Sequence, residues 1–219
     1  MKNWNARHIL IGLVGLATLG VLLLSLYVSF TSGAEYGAAQ AKRQTAAAIE
    51  AHRTVEAKTM EWIVRRNPAA TIVDFQNFPA ALLAEARGAE IDVRLLVALI
   101  DKESEWNPRA VGRAGEIGLM QVMPATAALV AKARGWKYDP PTGRRPDGSY
   151  ENLGTLGIPR ENVRIGVAFL KDQIDRFGVS PAALRAYNRG PAWAYERRPE
   201  DRYAEEIGLT LVTLSKEIR

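Results

Sequence analysis

The chain has 219 residues, a net charge of +5, two histidines and no cysteine. Without cysteine there is no disulfide, thiol nucleophile, thiolate metal site or lipid carried on an N-terminal cysteine. His8 and His52 both lie N-terminal to every chemistry-bearing motif, which argues against a Ser-His-Asp triad and zinc hydrolysis, so an enzyme here uses carboxylates and hydroxyls. The positive charge is spread rather than clustered, which fits weak attraction to anionic envelope polymers or lipid headgroups and not nucleic acid.

Residues 9–34 carry no charge, and Ile9 to Phe30 is an apolar run, long enough for a bilayer core that needs about 20 residues. This predicts a transmembrane segment over 9–34. Lys2, Arg7 and the terminal amine precede it without an acid, so residues 1–8 are expected to stay in the cytoplasm while the rest is exported to the periplasm. A cleaved signal peptide is the alternative, with Ser32 and Ala34 as the small residues at a cleavage site. The run is longer than the usual h-region of roughly 7 to 15 residues, which favours a retained inner-membrane anchor.

From Glu35 to Arg66 the composition is rich in Ala, Gln, Glu, Lys and Arg and free of proline, which predicts a helix. Residues 35–74 read as a stalk or linker whose helix would reach about 48 Å. A flexible linker remains the alternative, and Ile49, Val55, Met60, Trp62 and Ile63 are available to dock on the domain or on a partner. Asn67-Pro68 ends the segment.

Residues 75–219 have the size of one domain and read as all-α, with no strand signal. Pro79 to Arg87 is a short helix stopped by Gly88. Val93 to Ser104 follows, with Asp92 as N-cap, and Pro124 to Arg134 starts on a proline and stops at Gly135. Val163, Val167, Leu170, Ile174 and Phe177 mark one longer helix, and Ala204, Ile207, Leu211, Leu214 and Ile218 another; both stripes read as core. Ser180 caps a short helix that ends in Tyr187-Asn188 before Gly190-Pro191. Between them, Trp136 to Arg160 is rich in proline and glycine and reads as a long surface loop. Its Trp136, Tyr150, Arg144 and Arg145 either flank a groove or contact a partner, or belong to a tolerated insertion.

Glu103 ends the stripe Leu96, Leu99, Ile100. A carboxyl on an apolar face is expected to titrate high and to keep its proton near neutral pH, as a general acid must; a helix-end charge reaching water is the plainer alternative. Asp101 and Glu105, each two residues away, are expected to be solvated charges.

Glu103-Ser104, Asn107-Pro108, Gly115, Gly118-Leu119-Met120-Gln121, Met123-Pro124-Ala125-Thr126, Asn162 with Gly166, and Ala186-Tyr187-Asn188 with Gly190-Pro191 occur in this order in the sequence. The set resembles the catalytic domain of soluble-type lytic transglycosylases over about residues 80 to 210. The resemblance implies a goose-lysozyme-like helical fold and cleavage of the MurNAc-GlcNAc β-1,4 bond of peptidoglycan, without metal or cofactor. It makes Glu103 the acid that protonates the glycosidic oxygen and then the base for the C6 hydroxyl, which closes a 1,6-anhydro ring. That the sugar supplies its own nucleophile explains why one carboxyl can suffice where most glycosidases need two.

By the same resemblance Tyr187 positions Glu103 or the sugar. Ser104 belongs with the substrate-binding set, Gln121, Met120 and Met123 line the groove, and Asn188 hydrogen-bonds nearby; plain core packing is the alternative for both methionines. Gly115 and Gly118 serve the turn. The chain departs from the family at several places. Gly112 stands where a serine is common and Glu116 where a small residue is, the latter read as a solvated turn charge. Arg189 and Ala192 stand where alanine and glycine are frequent, and the C-terminal Glu-Thr motif is not clear near Glu200, Asp201 and Tyr203. The alternatives in function are a hydrolytic muramidase, with Glu116 as second carboxylate, and a non-catalytic wall-binding scaffold of an envelope-spanning secretion, conjugation or division machine.

Overall fold

The proline-free, alanine-rich sequence that opens the chain forms one helix, α1 (Ala6–Arg66). The computed structural model describes residues 6–68, 78–196 and 202–218, giving only the helical backbone for 6–35. The chain divides into two units, residues 1–52 and 53–219. In the first, residues 36–52 of α1 are largely exposed, Tyr36 and Ile49 included. The expected membrane span, 9–34, lies outside the residues whose side chains are described. Among the described residues no helix is long and apolar enough to cross a membrane.

Among the described residues, the second unit contains the last turns of α1 and the α-helices α2 (Phe78–Gly88), α3 (Val93–Ser104), α4 (Pro124–Arg134), α5 (Pro159–Phe177), α6 (Pro181–Arg189) and α7 (Tyr203–Glu217). The local signals act as expected. Asp92 accepts the Arg94 N–H at 2.9 Å and so satisfies one of the donors left open at the start of α3. Pro124, Pro159 and Pro181 start their helices, where the missing N–H costs nothing. Gly135 closes α4 at φ +66°.

Two expectations are corrected. The stretch after α4 carries a hairpin, with β1 (Thr142–Arg144) pairing antiparallel to β2 (Tyr150–Asn152). Its tip is Asp147-Gly148: the Asp147 carboxylate accepts the Ser149 N–H at 2.9 Å, and Gly148 takes φ +86°. An Asp-Gly pair is a hairpin signal even between strands too short to show alternation.

The second correction is Asp101, which is 6% exposed and not a solvated charge. Its Oδ1 accepts from Arg66 Nε at 2.7 Å, Trp106 Nε1 at 3.1 Å and Trp62 Nε1 at 3.3 Å. The three donors replace the water lost on burial. The helix ends just beyond, with Glu105 and Trp106 both at positive φ, 50° and 64°. This unfavourable backbone is held by the Trp106 ring, which is fully buried against Phe78 and hydrogen-bonded to Asp101.

The core centres on α3. Leu96, Leu99 and Ile100 are fully buried among Leu82 of α2, Val163 and Leu170 of α5, and Ile207 and Leu214 of α7. Each such side chain contributes about 1.5–3 kcal/mol on burial. Trp62 and Ile63 of α1 belong to this core, and Arg65 pairs with Glu217 at 2.6 Å. The unit therefore begins well before residue 75.

Candidate active site

Glu103 occupies the last turn of α3, where the apolar face runs out. Burial pushes its carboxyl up to about 7; the Tyr203 hydroxyl opposes the rise, the charge of Glu116 adds to it, and Lys102 opposes it. Tyr203, at the start of α7, donates its hydroxyl proton to Glu103 Oε1. Lys102 is drawn to Glu206 on the same helix, at 2.5 Å.

The loop from Asn107 to Met123 forms the facing wall, and its shape is set by a few polar anchors. Asn162 of α5, fully buried, accepts the Met120 N–H at 2.9 Å and donates to the carbonyls of Ile117 at 2.8 Å and Leu156 at 3.0 Å. Gly118 sits against it at φ +78°, where a Cβ would come within 2.2 Å of Asn162 Nδ2. Only glycine fits that approach. Ser104 Oγ donates to the carbonyls of Leu119 at 2.9 Å and Ile100 at 3.2 Å, tying the end of α3 to this loop.

Between loop and helices lies a cleft of about 320 Å³. Of the residues expected at the site, Glu103, Gln121, Met123, Tyr187 and Asn188 all line it. Gln121 is held at φ +45° by its own amide, which donates to the Gly118 carbonyl at 2.8 Å. Met123 is 39% exposed, an apolar surface open to a ligand. The Tyr187 ring packs on Phe169, and its hydroxyl donates to the Met120 carbonyl at 2.7 Å. Tyr187 thus fixes the loop; the tyrosine bonded to Glu103 is Tyr203.

Met120 and Ser104 do not line the cleft. The Met120 side chain has no exposed surface and fills the space beside Gly166, where a Cβ would meet its sulfur at 2.5 Å. It packs the core, and only its backbone serves the site. The Ser104 hydroxyl already serves two carbonyls and anchors the loop. Neither Trp136 nor Tyr150 reaches the cleft: Arg164 stacks on Trp136 at 3.9 Å, and Tyr150 lies against Gly115.

Two residues stand differently from what the sequence alone suggests. Glu116 is no solvated turn charge; it lines the cleft with Glu103, and its Oε2 is buried without a hydrogen-bond partner. Tyr203, four residues before Ile207, continues the inward stripe of α7 and so reaches Glu103.

The profile of the Transglycosylase SLT domain family matches residues 81–206. Soluble lytic murein transglycosylase of Salmonella typhimurium is 30% identical over 144 residues, 65% of this chain and 20% of that protein. Endo-type membrane-bound lytic murein transglycosylase A of Klebsiella pneumoniae is 32% identical over 91 residues, 40% of this chain and 39% of that protein. The chain therefore spans only about a fifth of the soluble relative and two fifths of the membrane-bound one. In fold it resembles an inactive Glu-to-Gln variant of lytic transglycosylase Slt from Pseudomonas aeruginosa, with TM-score 0.52 and 24% identity over 63% of this chain and 24% of that one. The matched region runs from α2 into α7, takes in every residue of the cleft wall and covers more than half of the chain, which belongs to the transglycosylase SLT domain family.

Proposed function

We propose that the protein is a peptidoglycan lytic transglycosylase that cleaves the MurNAc-GlcNAc β-1,4 bond and leaves a 1,6-anhydroMurNAc end. The observation that carries this reading is Glu103: a carboxyl at the edge of a cleft, raised to about 7 by burial and held by Tyr203. At neutral pH a large fraction of it is protonated, as protonation of a glycosidic oxygen requires. The C6 hydroxyl of the same sugar then attacks the anomeric carbon, and a carboxylate in the cleft takes its proton, Glu103 itself in the single-residue scheme. Gln121, Met123 and Asn188 form the groove that seats the strand, and Tyr187 and Tyr203 keep loop and acid in place.

Residues 9–34 serve in this reading as a single membrane anchor, with residues 1–8 in the cytoplasm and the catalytic unit in the periplasm; the apolar run and the basic residues before it support this. Its partners are then glycan strands, the inner membrane and a secretion, conjugation or division machine. The test is digestion of purified sacculi with mass spectrometry of the released muropeptides. Anhydro products, lighter by one water than hydrolytic ones, are expected without added metal. Hydrolysis is the second reading, favoured by the presence of Glu116 in the cleft; products that all carry a reducing end would establish it.

A further inference from the structure

The proposed chemistry leaves the hairpin of β1 and β2 without a role, yet the structure ties it to one end of the cleft. At its base the Asp139 N–H donates to Thr155 Oγ1 at 2.8 Å, and the Thr155 N–H to the Asp139 carbonyl at 2.9 Å. One residue earlier, the Tyr138 hydroxyl donates to the Pro124 carbonyl at 3.2 Å, between Met123 and Thr126 of the cleft. Along the hairpin, Arg144 and Tyr150 stand opposite each other and so share one face. That face rests on the far wall: a Cβ on Gly115 would come within 3.1 Å of the Tyr150 hydroxyl and 3.4 Å of Arg144 Nη2. Gly115 lies between Ala114 and Glu116, both of which line the cleft.

The guanidinium set at this rim has no internal anion. Among the described residues Arg144 makes no ion pair. Glu151 turns to Arg145 at 3.8 Å, and Glu116 is folded against Gly112, where a Cβ would lie 2.3 Å from its Cδ. Arg144 instead leans over the Tyr150 ring, 5.8 Å from its centre, and is exposed to solvent. A stacked arginine with its fork open is suited to a carboxylate, which it can hold through two parallel bonds. Exposed Arg113, next to Ala114, adds a second positive charge on the same side.

The N-acetylated sugars of a peptidoglycan strand are neutral, so the acids that a cation can meet there are the carboxylates of the peptide stems. A four-residue stem reaches about 14 Å when extended. The turn it has to pass, closed by the Gly115 N–H on the Gly112 carbonyl, is less than about 7 Å across.

We propose that Arg144 binds a carboxylate of a peptide stem on the strand seated in the cleft, so that the hairpin selects glycan that still carries its peptides. The proposal rests on the glycan-cleaving function and adds a subsite to it. Arg144 meets no reacting atom, so its effect falls on binding and not on the chemical step.

The experiment gives the full-length protein soluble, uncross-linked glycan strands in two forms, with their stems and with the stems removed by an amidase. The wild type is expected to show a KM about three- to tenfold lower on the stem-bearing strands, with kcat little changed, and the preference is expected to shrink as salt is added. Arg144→Ala should raise the KM for stem-bearing strands to the level of the stripped ones. Arg144→Lys should keep part of the preference, since the charge remains and the fork is lost. Arg145→Ala, which removes the partner of Glu151, should keep all of it.

Equal KM values for the two forms with the wild type overturn the proposal, as does a preference that survives in Arg144→Ala. An Arg144→Ala protein that is slowed equally on both forms also overturns it, because the arginine would then only support the turn at Gly115. The same holds if Arg145→Ala loses the preference as fully as Arg144→Ala. A wild-type protein that cuts neither form would instead overturn the glycan-cleaving function beneath it.

Discussion

The Tyr203 hydroxyl donates to Oε1 of Glu103 across 100 residues of chain, joining the first residue of α7 to the last turn of α3. The bond stabilises the ionised carboxyl, against the burial that raises it. Tyr203→Phe removes the opposing influence, so the pKa of Glu103 should rise further and the alkaline limb of the pH-rate profile should move upward. The rate at the optimum should fall modestly, about tenfold, since the acid itself remains. A pH series with both proteins measures the shift.

Glu103→Gln should abolish release of muropeptides while preserving the fold. An amide neither gives nor takes the required proton, and loss of a general acid typically costs about 10² to 10⁴ in rate. Mass spectrometry of a sacculus digest, beside a circular dichroism spectrum, checks both halves of the expectation.

The same substitution should stabilise the protein at alkaline pH. The folded state holds the Glu103 proton up to about 7 and the ordinary value is 4.5, so between these limits the folded chain binds more protons than the unfolded one. Stability from this group is therefore present below about pH 4.5 and declines as pH rises through about 7, by at most about 3 kcal/mol. Glu103→Gln keeps an acceptor for Tyr203 and carries no charge. Its melting temperature should match the wild type at pH 4.5 and exceed it at pH 8.

Gly112→Ser should damage the site by pushing the Glu116 carboxyl out of its place. If the clash is the cause, Gly112→Ser should be less disruptive to stability in a Glu116→Ala background than in the wild type. A double-mutant cycle on thermal unfolding gives the coupling, expected at about 0.5–3 kcal/mol for residues in contact.

Most of the fold could be read ahead of the structure because its signals are local. The bounds of α3 and α4 match the cap residues Asp92 and Gly135, and the inward stripe of α3 is the one that Leu96, Leu99 and Ile100 mark. What escaped was set by distant packing. Asp101 looked solvated from its helical angle, since nothing near it in sequence announces that Arg66, Trp62 and Trp106 converge on it. Glu116 was misjudged for the same kind of reason: its direction depends on the missing side chain of Gly112. The three-residue arms around Asp147-Gly148 are too short to show a strand period, so the hairpin is not legible from alternation.

Asp101→Ala should strongly destabilise the second unit. It leaves two buried indole N–H groups without acceptors and Arg66 without its partner, for an expected loss of about 2–5 kcal/mol. Denaturant unfolding of the variant measures it. Because α3 carries both Asp101 and Glu103, activity should fall with stability.

The chain order of the Glu103–Tyr203 bond also bears on timing. A ribosome adds roughly 5 to 20 residues each second, so the acid emerges many seconds before the hydroxyl that holds it. Until α7 docks, α3 lacks the cover of Ile207 and Leu214, and Glu103 lacks its tether. The site that the proposed chemistry needs is therefore complete only once α7 has docked.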